Sequence, residues 1–202
     1  MLSGGLDSTS CLFKLLTETD DDVHTYYVKL ENNSSKAWCE QESLNRIKPI
    51  AKGIRDFTHH DATEFYIRGN ANGIQPFLWM TASIFMANEI TGDRKRICIG
   101  YTSGDCAASR IDEIQDQWRH LWKWSGTARR KPPLYLPLLK RTKAQSMDYL
   151  RRLEHEKGIK IVENLWTCEG MKRVHGPNFS GYKACGTCEP CKRGLEIGLV
   201  QP

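Results

Sequence analysis

Leu2-Ser3-Gly4-Gly5-Leu6-Asp7-Ser8-Thr9 opens this 202-residue chain and decides most of its interpretation. The two consecutive glycines allow a tight turn and let a ligand approach the backbone closely. Apolar residues then follow at the spacing of a buried helix face: Cys11, Leu12, Leu15 and Leu16. A glycine-rich turn that leads into a helix presents free N–H groups and the positive end of a dipole to an anion. The stretch therefore predicts a phosphate-binding loop.

Asp7 needs an explanation within this loop, because its carboxylate would repel a bare phosphate. A Mg²⁺ ion between the two groups would remove the conflict, since Mg²⁺ commonly binds one or two carboxylates together with substrate phosphates. The alternative is an ordinary turn in which Asp7 and Ser8 only cap the helix that follows. The Mg²⁺ interpretation is preferred here.

Size and composition indicate a soluble globular protein, with 40% hydrophobic and 26% charged residues. The chain is long enough for one domain with an appended element. It contains no apolar run of about 18 residues and no secretory leader, so we expect a cytoplasmic protein without a membrane span. The net charge of +5 fits phosphate ligands and does not by itself indicate nucleic acid.

Segments typical of strands and helices alternate along the chain. Helices are predicted over 8–18, 38–54, 76–90, 107–124 and 142–156, and strands over 24–30, 55–60, 96–100 and 160–162. This alternation predicts an α/β fold, a doubly wound parallel sheet with helices on both faces. Ligands bind such sheets at the carboxyl ends of the strands, where the loop and the turn after Gly100 are expected. Because only Met1 and Leu2 precede the loop, we expect either that the first strand is nearly absent or that the chain borrows cover from elsewhere.

Four of the eight cysteines lie near the C-terminus: Cys168, Cys185, Cys188 and Cys191. This asymmetry favours a metal site in a reducing compartment over a secreted disulfide framework. The two-residue spacings place sulfurs on one knuckle, and Cys168 closes a tetrahedron, as in a structural Zn²⁺ site. An iron–sulfur cluster is the main alternative, while a redox pair would leave two cysteines unexplained.

This cluster also sets the predicted domain organisation. We predict a nucleotide-binding α/β domain over 1–163 and a zinc-binding element over 164–202, whose loop walls the ligand pocket. His175 lies within this element, but four cysteines already fill the coordination shell.

The opening octet resembles the pyrophosphate loop, Ser-Gly-Gly-x-Asp-Ser, of the N-type ATP pyrophosphatases. Families with this loop usually cleave ATP between the α and β phosphates and adenylate a carboxylate or carbonyl oxygen. The resemblance implies the fold of the adenine nucleotide alpha hydrolases and a site for ATP with Mg²⁺. The implied nucleotide-binding residues are Leu2, Ser3, Gly4, Gly5, Leu6, Asp7, Ser8, Thr9 and Ser10.

The two ends of the chain together are similar to the 7-cyano-7-deazaguanine synthases of the queuosine pathway. The similarity continues through four further segments: Ile99-Gly100 before a turn with Asp105, Pro137-Leu138-Leu139, Thr142-Lys143-Ala144 and Asn164-Leu165-Trp166-Thr167-Cys168. Two family segments differ, Asp-Tyr-Gly-Gln and Gly-Arg-Asn. Leu30-Glu31-Asn32-Asn33 and Gly73-Ile74-Gln75 stand in their places.

That family converts 7-carboxy-7-deazaguanine, ATP and ammonia into the 7-cyano product and is typically a homodimer. The resemblance implies that adenylation of the carboxylate and attack by ammonia give an amide, which a second adenylation dehydrates to the nitrile. Asp7, Ser8 and Lys143 are the implied catalytic residues. Lys143 would be a cation near the phosphates, or equally a solvated helix residue.

A second class of function applies the same ATP chemistry to nucleic acid, as in a pyrophosphate-loop tRNA sulfurtransferase. The cysteines would then serve an iron–sulfur cluster or a sulfur relay. Trp118, Trp122, Trp124 and Arg129-Arg130-Lys131 would contact RNA. We expect instead that the tryptophans pack into a core or dimer seam from an amphipathic helix, so nucleic acid is not an expected partner.

Two further alternatives stay open from the sequence. A catalytically inactive binding module would retain the phosphate loop without the reaction. His59-His60-Asp61 is compatible with a metal site or a catalytic base, although exposed histidines at a strand end are the preferred interpretation.

Overall fold

The computed structural model describes residues 1–30, 34–65, 75–90, 95–105, 107–126, 132–176 and 179–199. Several segments discussed above lie outside these residues: 31–33, 73–74, Cys106 and 129–131. The side chains of Asp61 and His175 also lie outside the described part.

Six helices and six strands make up the described secondary structure. The helices are α1 (Leu6–Glu18), α2 (Ser34–Lys52), α3 (Gln75–Glu89), α4 (Ile111–Trp124), α5 (Lys143–Lys157) and α6 (Glu189–Glu196). The strands are β1 (His24–Leu30), β2 (Thr58–Phe65), β3 (Ile97–Cys98), β4 (Leu134–Tyr135), β5 (Lys172–Gly176) and β6 (Phe179–Lys183). The predicted alternation of strands and helices is confirmed from α1 to α4, and β4, which was not predicted, precedes α5.

The strands pair in two ways. β1 pairs with β2 and β3 with β4, both in parallel, whereas β5 and β6 form an antiparallel hairpin. The first residues of the chain join the two parallel pairs. The Leu2 N–H donates to Tyr26 O of β1 at 2.8 Å, and the Met1 amino group donates to Cys98 O of β3 at 3.4 Å. Met1 and Leu2 are thus hydrogen-bonded to both parallel pairs.

Helices cover both faces of β1. Tyr27 packs into a large core together with residues of α1, α2 and α5. Its neighbours Tyr26 and Val28 pack against Ala82 and Met86 of α3. Because successive strand residues point to opposite faces, this alternation places a helical layer on each side. The fold is a mixed α/β arrangement with parallel strands.

One predicted strand is wrong. Residues 160–162 do not pair with another strand, and Val162–Asn164 form a 3₁₀ turn. The reason is a long-range contact, because the Glu154 carboxylate accepts the N–H groups of Ile161 and Val162 at 2.5 and 2.7 Å. These N–H groups are therefore satisfied without a sheet.

The tryptophans of α4 behave as an amphipathic helix predicts. Trp118 is 1% and Trp122 6% exposed, and the Trp118 indole N–H donates to Pro132 O at 2.9 Å. Two buried rings cannot stack on nucleic acid, so that interpretation of these residues is excluded. Trp124, which is 84% exposed, lies at the end of the helix.

The histidines of β2 differ from their predicted position. The strand begins at Thr58, so His59 and His60 lie near its start instead of its end. Both are half-buried, and they contact Thr25 and His24 of β1 at 2.8 and 2.9 Å. They contribute to the pairing of the two strands.

Among the described helices, none combines the length and the hydropathy that crossing a bilayer requires.

Candidate nucleotide site and metal centre

The phosphate loop is a sharp turn at the start of α1. Gly4 has φ = 74°, a left-handed conformation that favours glycine. A Cβ at this position would lie 2.4 Å from Ser43 Oγ of α2. Gly5 is the N-cap of α1, so the first N–H groups of the helix have no partner within it. The turn therefore has the backbone geometry that an anion site requires.

Two serine hydroxyls hold the loop in shape. Ser8 Oγ accepts from the Ser3 N–H and donates to Gly5 O, both at 3.2 Å, and the two hydroxyls are also 3.2 Å apart. Thr9 and Ser10 are fully buried in α1. With Gly4, they lie behind the residues that line the cavity, whereas the other predicted loop residues line it.

Asp7 and Lys143 meet in this site although 136 positions separate them. Lys143 Nζ lies 2.5 Å from Asp7 Oδ2 and 3.1 Å from Asp105 Oδ1. Asp105 is held in turn by the N–H and hydroxyl of Thr102, at 2.8 and 3.0 Å. Lys143 is thus fixed beside the loop, and it is the first residue of α5.

Burial and charge act in opposite directions on this pair. Burial raises the pKa of Asp7, and the Lys143 ammonium opposes that shift. Burial alone would lower the pKa of Lys143, but attraction to Asp7 and Asp105 raises it. Lys143 is therefore a cation at neutral pH, and Asp7 gains a proton at a higher pH than an ordinary aspartate.

The second carboxylate oxygen of Asp7 is suited to bind a cation. Asp7 Oδ1 is buried and has no hydrogen-bond partner among the described residues. An unpaired carboxylate oxygen in a buried position is costly unless a ligand satisfies it. A Mg²⁺ ion carried in with a triphosphate would supply that partner.

The loop opens into a cavity of about 450 Å³. One end is formed by the loop, Asp7 and Lys143, and Ile99 and Gly100 form the adjoining wall. The remaining walls include β1 and α2 and, from the end of the chain, Trp166, Thr167 and Arg193. The cysteine-containing element therefore walls the cavity, as expected from the sequence.

Gly100 is the point where the neighbouring strand comes closest to the loop. A Cβ at Gly100 would lie 2.6 Å from the carbonyl oxygen of Asp7, which is backbone and cannot move aside easily. The φ of Gly100 is not left-handed, so packing, and not backbone conformation, explains the glycine at this position. The sequence placed Gly100 at this edge but gave no signal of the contact.

The loop is also tied directly to the segment before the cysteines. Gly4 O accepts the Trp166 N–H at 3.0 Å and the Ser43 hydroxyl at 2.9 Å. The same hydroxyl lies 2.6 Å from Asn164 O. Ser43 and Trp166 thus clamp one carbonyl of the phosphate loop, and only Trp166 belongs to a segment that the sequence motif marked.

The four C-terminal cysteines converge on one point. Their Sγ atoms all lie within 4.8 Å of one another, with Cys168 to Cys188 at 3.9 Å and Cys185 to Cys191 at 4.0 Å. A Zn–S bond of about 2.3 Å in a tetrahedron implies sulfurs about 3.8 Å apart. All four are free thiols, so the cluster can hold a metal ion such as zinc.

The β5–β6 hairpin explains how Cys168 reaches the other three. Its register pairs Lys172 with Lys183, which returns the chain to the knuckle after two short strands. This hairpin was not predicted from the sequence. The four predicted cysteines do lie close together, and the hairpin explains how Cys168 joins them.

Backbone donors surround the sulfurs. Interactions with Thr187 and the N–H of Cys188 lower the pKa of the Cys185 thiol to about 5. Burial instead raises the pKa of Cys168 and Cys191. A metal ion binds thiolates, so metal binding displaces protons from these buried thiols and the affinity for the metal falls as the pH falls.

A comparison with curated proteins supports the family resemblance. A stretch of 76 residues is 34% identical to a protein of Methanococcus vannielii named 7-cyano-7-deazaguanine synthase. The chain resembles that synthase. The aligned stretch covers 36% of this chain and only 30% of the relative, so the relative's activity as a whole is a proposal for this protein. No family model and no solved structure matches the chain.

Proposed function

We propose that this protein is an ATP-dependent carbon–nitrogen ligase that converts 7-carboxy-7-deazaguanine and ammonia into 7-cyano-7-deazaguanine. The observation that carries the proposal is the convergence of the glycine loop, Asp7 and Lys143 on one cavity. The similarity to the archaeal synthase supports the choice of substrate. The proposed fold is the doubly wound sheet of the adenine nucleotide alpha hydrolases.

The first half of the proposed reaction activates a carboxylate. A carboxylate oxygen of the base attacks the α-phosphorus of ATP, and the bond to the bridging oxygen breaks to release pyrophosphate. Ammonia then adds to the acyl carbon of the adenylate and AMP leaves, which gives the amide. The N–H groups at the start of α1 and the Ser3 and Ser8 hydroxyls would hold the pyrophosphate, and Lys143 would offset its charge.

The second half removes water from the amide. The amide oxygen attacks a second ATP, pyrophosphate leaves, and loss of AMP with two protons from nitrogen forms the carbon–nitrogen triple bond. The walls of the cavity would keep water from the adenylates, which hydrolyse readily. Positioning and exclusion of water are therefore the main tasks that this chain performs.

Two metal ions belong to the proposal. Asp7 would hold Mg²⁺, which supplies positive charge to the phosphates when ATP binds. The four cysteines would hold Zn²⁺ as a structural ion, because four thiolates leave no open position for a substrate. The sulfur separations favour a single ion, since each thiolate of a four-iron cluster binds a different iron and the sulfurs stand farther apart.

An activity assay tests the proposed function directly. The protein is incubated with ATP, Mg²⁺, ammonium and 7-carboxy-7-deazaguanine, and the products are followed by mass spectrometry. We expect the amide and then the nitrile, with one AMP formed at each step. The absence of both products, together with ATP hydrolysis that tRNA stimulates, would instead indicate a nucleic-acid-modifying enzyme.

Metal analysis tests the proposed structural zinc ion. Protein purified in air is expected to be colourless, with about one zinc ion bound per chain. A brown, iron-containing sample would contradict the zinc assignment.

A further inference from the structure

A carboxylate with no role in the proposed reaction lines the same cavity. Glu40 lies in α2, and its Oε2 accepts a hydrogen bond from the Tyr27 hydroxyl at 3.0 Å. The ring of Tyr27 is only 2% exposed, and its hydroxyl also donates to Ala37 O at 3.3 Å. Tyr27 therefore fixes the direction of the carboxylate. Glu40 is half-buried, so part of its side chain is open to the cavity.

The position of Glu40 brings it within reach of a ligand held at the loop. Ser43, three residues later on α2, contacts Gly4 of the loop at 2.9 Å. Three residues span about 4.5 Å along a helix, so Glu40 lies roughly one turn from that contact. Trp166, which is anchored through its indole N–H to Cys168 O at 3.0 Å, lines the same cavity. A flat ring between these groups would meet an aromatic side chain as well as the carboxylate.

Two groups counteract the effect of burial on the Glu40 carboxyl. Burial raises the pKa of Glu40, while Lys36 and the Tyr27 hydroxyl oppose that shift. Lys36 also pairs with Glu169 of the cysteine element at 3.4 Å. An ionised carboxylate only accepts hydrogen bonds, so the ligand group that suits Glu40 is an N–H donor.

The chemistry of the two candidate rings decides between them. A 2-amino-4-oxopyrimidine edge presents two adjacent donors, the ring N3–H and the exocyclic amine, and both can bind one carboxylate. The corresponding edge of adenine presents one donor beside one acceptor, and the acceptor would face a carboxylate oxygen. We propose that Glu40, positioned by Tyr27, binds the 2-amino-4-oxo edge of the deazaguanine base and so selects this base. The inference rests on the proposed function, because it takes its substrate from there.

Direct binding measurements test this role. The affinity of the wild-type protein is measured by calorimetry for three ligands: 7-carboxy-7-deazaguanine, its analogue without the 2-amino group, and ATP with Mg²⁺. The same series is measured for Glu40→Gln and for the control Glu42→Gln. Glu42 lies on the same helix and does not line the cavity, so this control removes an equal charge. Thermal unfolding of each variant shows whether it is folded.

We expect wild type to bind the 2-amino base about 100-fold more tightly than the analogue, since a site built for a donor is left unpaired without it. Glu40→Gln should lose most of this preference while its affinity for ATP stays within about twofold, and Glu42→Gln should match wild type. A folded Glu40→Gln protein with the full preference would overturn the inference. A selective loss of ATP affinity would also overturn it, because Glu40 would then bind the ribose. If wild type binds neither base, the proposed function itself fails.

Discussion

At the scale of single residues, the site depends on backbone atoms that pass very close to one another. Gly100→Ala places a methyl group 2.6 Å from Asp7 O, so the strand or the loop must shift. We expect a loss of about 1–3 kcal/mol in the free energy of unfolding, together with weaker ATP binding. Denaturant unfolding and nucleotide titration measure the two effects.

Gly104→Ala is the matched control, because a Cβ at Gly104 meets no atom within 4 Å. Its unfolding free energy should stay within about 0.5 kcal/mol of wild type. Equal effects of the two substitutions would show that the loop does not depend on the close contact at Gly100.

Asp7 is the residue on which the proposed reaction is expected to depend most. Asp7→Asn removes the charge that would hold Mg²⁺ but keeps the shape of the side chain. We expect kcat/KM to fall by about 10²-fold or more, which corresponds to at least about 2.7 kcal/mol of transition-state stabilisation. Thermal unfolding should show an intact fold, and Asp112→Asn on the exposed start of α4 should leave activity unchanged. Full turnover by the Asp7→Asn variant would contradict the proposed role of Asp7 in binding Mg²⁺.

The same carboxylate sets the pH dependence of nucleotide binding. Only the ionised form of Asp7 can bind Mg²⁺, and burial raises its pKa. Affinity for MgATP should therefore fall as the pH drops through this raised pKa, at a higher pH than an ordinary aspartate with a pKa of about 3.9 would give. Titrations from pH 8 to pH 4 measure the shift, and the Asp7→Asn variant should lack it.

At the scale of secondary-structure elements, α5 connects a local capping motif to the site. Thr142 Oγ1 accepts the Gln145 N–H at 3.2 Å, and the Gln145 side chain accepts the Thr142 N–H at 2.9 Å. This capping box fixes the start of α5, where Lys143 is the first residue. The position of the cation therefore depends on the cap.

Thr142→Ala should destabilise the protein by about 1 kcal/mol and lower the melting temperature by about 2–4 °C. We also expect a lower kcat/KM, since Lys143 loses its fixed position. Thr142→Ser keeps the hydroxyl and should restore both values. A scanning calorimeter and the nitrile assay provide the readouts, and an unchanged Thr142→Ala enzyme would contradict the argument.

The secondary-structure elements also show which parts of the structure were predictable from the sequence. The loop, the cap at Thr142 and the cysteine knuckle were predictable, because each is written in adjacent residues. The 3₁₀ turn at Val162–Asn164 was not, since it depends on the carboxylate of Glu154 eight positions earlier. β3 lies within the strand predicted over 96–100, whereas β4 was not predicted, because its two residues are too few for a pattern. Glu40 and Ser43 gave no signal, because their partners lie on other elements.

At the scale of the whole molecule, the metal centre and the nucleotide site share one wall. Cys188→Ser removes a ligand, so we expect loss of zinc and a lower stability. The lost contribution is about 4 kcal/mol when zinc exceeds its dissociation constant 1,000-fold. Nucleotide affinity should fall as well, because Trp166 and Arg193 line the cavity. Metal analysis, thermal unfolding and ATP titration measure these three effects.

Cys98→Ser provides the comparison, because Cys98 lies in β3 and not in the cluster. It should keep its zinc and its affinity for ATP. A Cys188→Ser protein that loses zinc but binds ATP normally would show that the metal does not shape the cavity.

The hydrogen bond from the Trp166 N–H to Gly4 O has a consequence for the supply of both ligands. It connects the segment that leads to the cysteine cluster with the turn that would bind the triphosphate in the proposed function. Linked equilibria are reciprocal, so a metal that tightens nucleotide binding by some factor is itself held more tightly by that factor once nucleotide is present. If this coupling holds, protein molecules with bound nucleotide would be the last to lose their metal when zinc is scarce and ATP is abundant.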